Sequence, residues 1–429
     1  MSGSAQEPGR HYPNGKRVAP LYESASNVEV SWRNTAAWTM VQEHAVTQEY
    51  KANEWALKRL QHGANGLLFY LTPDHYLPRI LKDIQLELID LHLVVEGSGP
   101  EVMESLLHYA HDEVIPAGKL RGTINIDPIE IMARTGKWDE SKMYELGELS
   151  RLCPKGMNFL CVNANIWAAA GASVPVQLGL ATAHMSYYLE HFGSVAADRF
   201  WLNMSTGAHF FLELSKFRAA RLLWARLLEV MNLPATALTL YGESSATEQT
   251  LYDPHTNLLR NTSGASAAIL GGVDEFQMKP YNATAVEADP EAERLALNQQ
   301  LIMSYESFMD KVDDPGAGSY FIENLTQELC AEAWELYMKI EDQGGIQATL
   351  ASGYIQDLLE AEVKKQQPDQ VLGVNQFPLD GEQPLAKPAA VMSRAEHQKK
   401  YAGRDCEPVQ QIRWSQNLEV ERTKATSHE

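Results

Sequence analysis

Short apolar runs alternate with long helical stretches along most of this 429-residue chain, and this alternation limits the possible folds more than any other feature. The apolar runs are of strand length and lie at 66–71, 86–95, 122–126, 158–163, 237–241 and 268–276. The predicted helices lie at 101–114, 174–192, 207–231, 255–267, 291–308 and 327–344. Strands that alternate with helices form a parallel sheet with right-handed crossovers. The pattern therefore predicts an α/β fold, either a closed (β/α)8 barrel or a doubly wound open sheet, and periodicity favours neither.

The two ends of the chain differ from this alternating region. Residues 1–23 are polar and rich in turn-forming residues, which predicts an extended arm. A helical pattern follows over about 24–63. Residues 366–429 are dominated by Pro, Gln, Lys and Glu, which predicts a polar surface tail with one helix at 390–401. The predicted units are therefore the arm, a main α/β unit over 24–365 and the tail.

The charge balance excludes several classes of partner. The chain carries 56 acidic and 36 basic residues, a formal net charge of −20. A field of this sign repels nucleic-acid phosphates and anionic membranes, so neither is an expected partner. The four cysteines form no CxxC pair, and no apolar run reaches the roughly 18–20 residues that span a bilayer. Because the N-terminus also lacks the apolar core of a signal peptide, a cytoplasmic location is expected.

Common catalytic motifs are absent from the sequence. It contains no GxxxxGK[ST] or GxGxxG phosphate loop, no HExxH zinc motif and no GxSxG nucleophile elbow. These absences argue against P-loop kinases, dehydrogenases, zinc hydrolases and serine esterases.

Three segments share their pattern with one known family. They are the helix KFRAARLLWA at 216–225, the turn and helix YDPHTNLLR at 252–260, and the loop DPGAGSYFIE at 314–323, which is expected to lead into a strand. Through these segments, and more weakly over 38–377, the chain resembles the methylmalonyl-CoA mutase family. The resemblance implies a (β/α)8 barrel of the TIM type. It also implies adenosylcobalamin-dependent radical chemistry between methylmalonyl-CoA and succinyl-CoA, in which the barrel orients the thioester and excludes water.

The positions that carry this chemistry in active members hold other residues here. By the resemblance, Glu43 replaces a tyrosine, Tyr241 replaces a histidine on the sixth strand, and Gln277 replaces a second histidine. Arg134 matches a family arginine only if one residue is deleted, so its retention is an open possibility. A carboxylate at position 43 would repel an anionic thioester, so Glu43 is expected to be solvated or salt-bridged and not a new general acid.

The bore of the barrel is predicted to be filled. In active members the fourth strand presents serines to the inside, which leaves room for the pantetheine arm. The matching run here is FLCVN at 159–163. Strand alternation puts Phe159, Cys161 and Asn163 on the inward face. Because a barrel interior is by default packed with side chains, these three residues are predicted to plug the bore.

The resemblance implies that this chain binds no cobalamin itself. Cobalamin-binding members use Asp-x-His-x-x-Gly, but here Asp90 and His92 are followed by Val95 in place of the glycine, inside a strand pattern. His92 is therefore expected to be a sheet histidine. The family's cobalamin domain follows the barrel, and only the short polar region after residue 366 is present here. Adenosylcobalamin is accordingly expected in a partner subunit.

The remaining charged candidates have structural explanations. Four carboxylates near predicted strand ends are expected to be loop or capping residues because no base, nucleophile or metal pattern accompanies them: Asp127, Glu243, Asp274 and Glu275. Three arginines on the 216–225 helix and just after it are expected to be solvated on the outside of the barrel: Arg218, Arg221 and Arg226.

A mutase-like frame without mutase-like reactive residues implies a supporting chain. The expected role is that of the small, non-catalytic subunit of a heterodimeric methylmalonyl-CoA mutase, whose large subunit binds substrate and cofactor. Two alternatives are a catalytic barrel chain whose cobalamin domain is a separate polypeptide, and a stand-alone acyl-CoA-binding barrel. An intact pocket would favour the first alternative, and an open bore would favour the second.

Overall fold

The strands are short, parallel and largely buried on both faces, as expected when helices cover a parallel sheet. The computed structural model describes residues 10–11, 17–18, 37–284, 289–366 and 370–426. The barrel strands are β1 (Thr39–Ala45), β2 (Gly66–Leu71), β3 (Asp90–Val95), β4 (Gly122–Asn125), β5 (Met157–Asn158), β6 (Leu160–Asn163), β7 (Phe200–Thr206), β8 (Thr239–Ser244) and β9 (Glu275–Gln277). They pair in parallel in the order β5-β4-β3-β2-β1-β9-β8-β7-β6.

The sheet closes at Phe159. Strand β5 pairs with β4 through Met157 and Gly122, whereas β6 pairs with β7 through Leu160 and Phe200. Because only Phe159 separates β5 from β6, the two segments together act as one interrupted strand of the barrel. The sheet is therefore an eight-stranded barrel. The predicted (β/α)8 barrel is confirmed.

Helices cover the outside of the barrel and follow the strands in the order expected for right-handed crossovers. They are α1 (Glu49–Gln61), α2 (Leu77–Ile80), α3 (Gly99–Asp112), α4 (Pro128–Thr135), α5 (Glu140–Leu152), α6 (Asn165–Ala169), α7 (Val174–Phe192), α8 (Phe210–Val230), α9 (Thr256–Leu270), α10 (Pro290–Tyr305), α11 (Tyr320–Glu341), α12 (Gly345–Ser352), α13 (Tyr354–Gln366), α14 (Arg394–Lys400) and α15 (Gln416–Thr426). Short 3-10 turns lie at Leu86–Leu88, Ala117–Lys119, Gly193–Val195 and Met309–Lys311.

Two strands were not recognised in the sequence. Strand β1 lies inside the region predicted to be helical over 24–63, of which only α1 is a helix in the described residues. Strand β7 was missed entirely, although every one of its residues is buried. In β7 the residues facing the axis include Asn203 and Ser205, so the strand does not read as an apolar run. The predicted strand at 86–95 begins only at Asp90, after a 3-10 turn.

Two helix–strand assignments were wrong. The segment at 314–323 leads into α11 and not into a strand, because the Ser319 hydroxyl caps the helix by accepting from the Ile322 amide. Of the predicted strand at 268–276 only the last two residues are in a strand, because α9 continues to Leu270 and a turn follows it. In the first case the turn residues were read correctly as a boundary, whereas the predicted strand at 268–276 ran across the turn at Gly271 and Gly272. In both cases the type of element beside the turn depends on tertiary packing.

Helix α8 is buried on nearly all sides, which contradicts the prediction that its arginines are solvated. Arg218 is fully buried and its guanidinium lies 2.9 Å from the Asp314 carboxylate. Arg221 is 5% exposed and pairs with Asp274 at 2.9 Å. Only Arg226 is exposed, with its guanidinium 4.0 Å from the centre of an indole ring on α11. The reason is that α8 packs between the sheet and α11, so Arg218 and Arg221 on its flanks each meet a partly buried carboxylate.

The C-terminal tail contains two helices, α14 and α15, where one was predicted. It packs on the barrel and is not a free surface segment. Most of the predicted N-terminal arm lies outside the described residues; within it, Arg10–His11 pairs antiparallel with Arg17–Val18.

Candidate functional site at the barrel mouth

Apolar side chains fill the barrel axis. Strand alternation turns one residue in two towards the inside, and the inward residues form a cluster separate from the core between sheet and helices. The cluster consists of Val41, Leu68, Cys161, Trp201 and Tyr241, each at most 4% exposed. The interior of this barrel is therefore packed, as is the default for the fold.

Aromatic rings make up the widest part of this packing. The rings of Trp201 and Tyr241 lie 4.6 Å apart, and the His92 ring lies 5.7 Å from Tyr241 and 5.8 Å from Trp201. The indole nitrogen of Trp201 donates a hydrogen bond of 2.8 Å to Glu275 Oε2. His92 is fully buried and interacts through Nδ1 with the Thr123 hydroxyl at 3.2 Å. His92 is thus a sheet histidine, as expected.

Burial favours the uncharged forms of Glu275 and His92 in the axis. Burial raises the pKa of Glu275 well above its usual value. Burial also lowers the pKa of His92 to about 4, against a smaller opposing effect of Asp90. Desolvation favours the uncharged form of both groups, although their atoms Oε2 and Nε2 lie only 3.5 Å apart.

Polar residues form the next layer towards the carboxyl ends of the strands. The Tyr70 hydroxyl donates to Glu43 Oε2 at 2.9 Å. Glu243 Oε1 accepts from Ser205 at 3.1 Å and lies 3.5 Å from the ammonium of Lys279. Although burial lowers it, the pKa of Lys279 is raised overall by the carboxylates of Glu243 and Glu43, so this lysine stays charged. Glu243 was expected to be a loop or capping residue and is instead an inward residue of β8.

The three altered family positions converge on this region. Glu43, Tyr241 and Gln277 lie on the adjacent strands β1, β8 and β9, with Gln277 opposite the β8 residue Glu243 in the register. Arg134 lies on α4, where its half-exposed side chain donates to Glu130 at 2.7 Å. None of these contacts forms a nucleophile–base pair.

Phe159 does not take part in the axial packing, contrary to the prediction. Its ring lies 6.4 Å from the Phe192 ring and 5.2 Å from the guanidinium of Arg199, within the core between sheet and helices. The break between β5 and β6 falls at this residue, so the alternation counted back from Cys161 does not extend to it. Cys161 does belong to the axial cluster, and Trp201, its partner in the register, fills the space that Phe159 was expected to fill. Recognition of β7 as a strand would have identified Trp201.

Asn163 and Asp127 belong to a network at the rim. The amides of Asn163 and Asn125 exchange hydrogen bonds of 3.0 Å. Asp127 caps α4 by accepting from the Glu130 amide, as expected of a capping carboxylate, and also accepts from the Asn163 amide at 2.7 Å. The Asp127 carboxylate further bonds the buried His184 ring at 2.8 Å. These hydrogen bonds connect the ends of the strands to the helices. They also occupy both carboxylate oxygens of Asp127.

Two cavities lie at the carboxyl ends of the strands, where active sites of this fold are built. One of about 370 Å³ is lined by Glu243, Lys279 and Asn165. The other, of about 340 Å³, has the buried Lys216 in its wall. Both border the ends of β7 and β8, and both are roofed by one segment of the C-terminal tail.

We call this segment, residues 405–423, the strap. The backbone amides of Val409, Ile412 and Trp414 donate to carbonyl oxygens after β4, β6 and β8, at 2.7, 2.8 and 2.9 Å. The strap therefore crosses the barrel mouth and is bonded to three of the connections that surround it.

The histidine of the near-miss cobalamin motif does not fit a corrinoid ligand. The near-miss histidine of the sequence, His92, is fully buried in the barrel wall, so its ring is inaccessible to a macrocycle. Among the described residues, no group of three or more His, Cys, Asp or Glu side chains is arranged to hold a metal ion. In the same part of the chain, no helix is both long and apolar enough to cross a bilayer.

Residues 74–419 match the family model described as methylmalonyl-CoA mutase, which is well over half of the chain. The chain belongs to the methylmalonyl-CoA mutase family. It is 31% identical over 386 residues to the methylmalonyl-CoA mutase small subunit of Porphyromonas gingivalis, a match that covers 84% of this chain and 61% of that protein. It is also 31% identical to the small subunit of Streptomyces virginiae, with 82% and 60% covered.

A third relative is the methylmalonyl-CoA mutase small subunit of Propionibacterium freudenreichii subsp. shermanii, 26% identical over 80% of this chain and 57% of that protein. The chain thus spans about three fifths of the length of these relatives (57–61%). Among solved structures, a dihydropteroate synthase from Coxiella burnetii covers 69% of this chain and 100% of its own, at 12% identity and a TM-score of 0.33, a likeness too low to carry an argument. Membership of this isomerase family and the TIM-type barrel agree with each other.

Proposed function

We propose that this chain is the small, non-catalytic subunit of a heterodimeric, adenosylcobalamin-dependent methylmalonyl-CoA mutase. In this proposal the large subunit binds both acyl-CoA and cofactor and interconverts methylmalonyl-CoA and succinyl-CoA. This chain supports the large subunit as a folded partner. A cytoplasmic location of the complex stays a prediction.

The observation that carries the proposal is the filled barrel axis. A thioester on a pantetheine arm needs a continuous passage to reach reacting groups inside a barrel. Here Trp201 and Tyr241 are each 1% exposed and lie across the axis with their rings in contact. Reopening the passage would require moving two large aromatic side chains out of a closed wall, which close-packed interiors do not permit without loss of stability.

The electrostatics of the mouth support the same conclusion. Glu43 and Glu243 both act on Lys279, so its positive charge is already compensated by carboxylates of the protein. An acyl-CoA is an anion and would be repelled by these two carboxylates. His92 and Glu275 below them are buried in the axis, 0% and 7% exposed, so neither side chain is open to a substrate at the mouth.

The partner and the cofactor follow from the relatives and from His92. Three relatives are named small subunits, and a small subunit implies a larger one. Burial of His92 supports the proposal that adenosylcobalamin is held by that partner. Together these points favour the supporting role over the catalytic barrel and the acyl-CoA-binding barrel.

The test is to purify this chain with the mutase large subunit from the same source and to assay each chain and the mixture with adenosylcobalamin. In the complex, Glu43→Gln, Tyr241→Phe and Gln277→Ala in this chain are expected to change kcat and KM by no more than about twofold. As a matched control, replacement of the corresponding tyrosine in the large subunit should remove most of the activity.

Three results would overturn the proposal. Turnover by this chain alone would make it catalytic. Turnover after addition of a separate cobalamin-binding polypeptide would favour the split catalytic enzyme. Micromolar binding of methylmalonyl-CoA by the isolated chain, without any stable complex with a large subunit, would favour the stand-alone binding barrel.

A further inference from the structure

Four large apolar side chains lie exposed where α9 and α10 adjoin on the outside of the barrel. They are Leu259 on α9, Ile302 and Tyr305 on α10, and Phe308 just after α10, which are 70%, 47%, 70% and 60% exposed. We call these four residues the apolar patch. Exposed apolar residues are ordinary when they occur singly, but a contiguous group of them on one protein often marks an interaction site.

A hydrogen bond between the two helices makes the patch continuous. The side-chain amide of Gln299 on α10 donates to the Leu258 carbonyl oxygen on α9 at 2.7 Å. Leu259 is the next residue of α9, and Ile302 lies one turn after Gln299 on α10. Ile302 and Tyr305 are three residues apart and are therefore neighbours on the helix surface. The patch thus extends over the contact between α9 and α10.

The backbone directs the Phe308 ring outward at a conformational cost. Helix α10 ends with the Ser307 amide donating to the Ile302 carbonyl oxygen at 2.8 Å, and Phe308 follows with a φ of +55°. This left-handed conformation is unfavourable for a bulky residue. Met309 packs against the core, whereas the Phe308 ring gains no such burial. Strain of this kind is concentrated at functional positions, which indicates a contact with another molecule.

The area of the patch matches the centre of a protein–protein interface. At about 200 Å² for one large side chain, the four residues expose roughly 500 Å². The largest apolar patch of a typical monomer covers about 300–600 Å² and is often functional. A stable complex buries about 800 Å² on each partner, with an apolar centre and a polar rim. The apolar patch is large enough to form such a centre.

Charge determines what kind of partner fits the patch. Glu306 lies between Tyr305 and Phe308 in the sequence, is exposed, and forms no ion pair within the part of the chain that the structure describes. In a symmetric dimer of this chain the same surface would face itself. Such a dimer would bring two Glu306 carboxylates and two net charges of −20 together. A different protein with an apolar face and a basic residue at its rim would instead be attracted.

We propose that the apolar patch is the surface through which this chain binds the mutase large subunit, and that the large subunit presents an apolar face with a basic residue opposite Glu306. This inference rests on the proposed function and locates the contact that the proposed function requires. Because the patch lies on outer helices, the partner reaches it without any change inside the barrel.

The affinity of the large subunit for variants of this chain tests the proposal. Tyr305→Ala should raise the Kd of the complex by about thirtyfold, because a central tyrosine carries a large share of the binding energy. Tyr144→Ala is the matched control and should leave the Kd unchanged. Tyr144 is 72% exposed on α5, where the other large apolar residues are at least partly buried. Glu306→Lys should raise the Kd by about tenfold, because two cations would then meet at the rim.

Hydroxyl-radical footprinting of the wild type provides a second readout that needs no substitution. The Tyr305 and Phe308 rings should be oxidised more slowly in the complex than in the free chain, whereas Tyr144 should be oxidised at the same rate in both. Equal oxidation of Tyr305 in the two states would overturn the proposal. An equal rise of Kd in Tyr305→Ala and Tyr144→Ala would also overturn it.

The outcomes separate this inference from the proposed function. A stable complex with the same Kd for wild type and Tyr305→Ala overturns the apolar patch as the contact and leaves the small-subunit proposal standing. Failure of the wild-type chain to bind the large subunit overturns the proposed function and this inference with it. A chain that self-associates in sedimentation equilibrium, and that Tyr305→Ala converts to a monomer, has a second copy on the patch, which also overturns the proposal.

Discussion

Replacement of Trp201 by alanine tests whether packing holds the barrel axis shut. The indole is 1% exposed, lies 4.6 Å from the Tyr241 ring and donates to Glu275. Truncation removes about 140 Å³ of side chain, which costs about 3 kcal/mol at about 24 cal/mol per Å³ of remaining cavity. The lost hydrogen bond adds about 1 kcal/mol. Trp201→Ala should therefore lower the free energy of unfolding by about 4 kcal/mol.

The measurement is urea unfolding followed by circular dichroism, in which a shifted midpoint at constant slope reports a change in stability. Trp224→Ala is the matched control. Trp224 is 3% exposed, contacts the Phe200 ring at 4.8 Å and donates to the Thr236 carbonyl oxygen at 2.9 Å. Because it lies in the helix layer, where α8 can shift to reduce the cavity, Trp224→Ala should cost less than Trp201→Ala.

The reasoning would be refuted by a loss of less than about 1 kcal/mol in Trp201→Ala, since that value belongs to a side chain that is not enclosed. A loss equal to or smaller than that of Trp224→Ala would also contradict it, because the closed wall would then yield as readily as the helix layer. Either result would remove the steric basis for a non-catalytic barrel.

Three further predictions concern buried polar groups. Burial lowers the pKa of His92 to about 4, whereas a histidine in the unfolded chain titrates near 6.5, so the free energy of unfolding should fall by about 3 kcal/mol as the pH drops through that window. Urea unfolding at several pH values should show a weaker pH dependence in His92→Leu than in the wild type. The same pH dependence in both proteins would contradict this prediction. Asp314→Ala leaves the buried charge of Arg218 without this carboxylate and should lower the free energy of unfolding by about 3–5 kcal/mol. The double variant with Arg218→Met and Asp314→Leu should lose less stability, because no buried charge remains. Equal losses of the two variants in urea unfolding would argue against a buried ion pair. Iodoacetamide at pH 8 should modify no cysteine in the folded chain and all four in urea. The reason is that burial raises the pKa of each thiol, namely Cys153, Cys161, Cys330 and Cys406. Modification of Cys161 in the folded chain would show that the axis is open.

Predictions for the site succeeded where local pattern sufficed. Alternation placed Cys161 on the inward face, and the absence of a glycine after His92 pointed to a sheet histidine, which its full burial supports. Asp127 caps a helix, as expected for a carboxylate near a strand end without a catalytic partner. Each of these assignments depends on residues a few positions apart.

The assignments that failed depend on contacts across the chain. Phe159 was predicted to face inward, but it lies at the interruption between β5 and β6. Its ring packs between the sheet and the helices. Arg218 was predicted to be solvated, but in the structure it pairs with the carboxylate of Asp314, 96 residues away. Strand β7 went unrecognised because its axial face carries polar residues that only a barrel interior brings together.

The sequence by itself determined the α/β class, because strand–helix alternation is a local signal that survives without knowledge of the packing. The (β/α)8 architecture followed only from the resemblance of three segments to a known family. Only the tertiary structure decided which side chains fill the axis and that the tail is a strap. Trp201 faces inward because of the register between β6 and β7. Glu419 accepts a hydrogen bond from the amide of Leu251, 168 residues earlier in the chain. Register and long-range contacts arise from the free energy of the whole chain, and no local window of residues contains them.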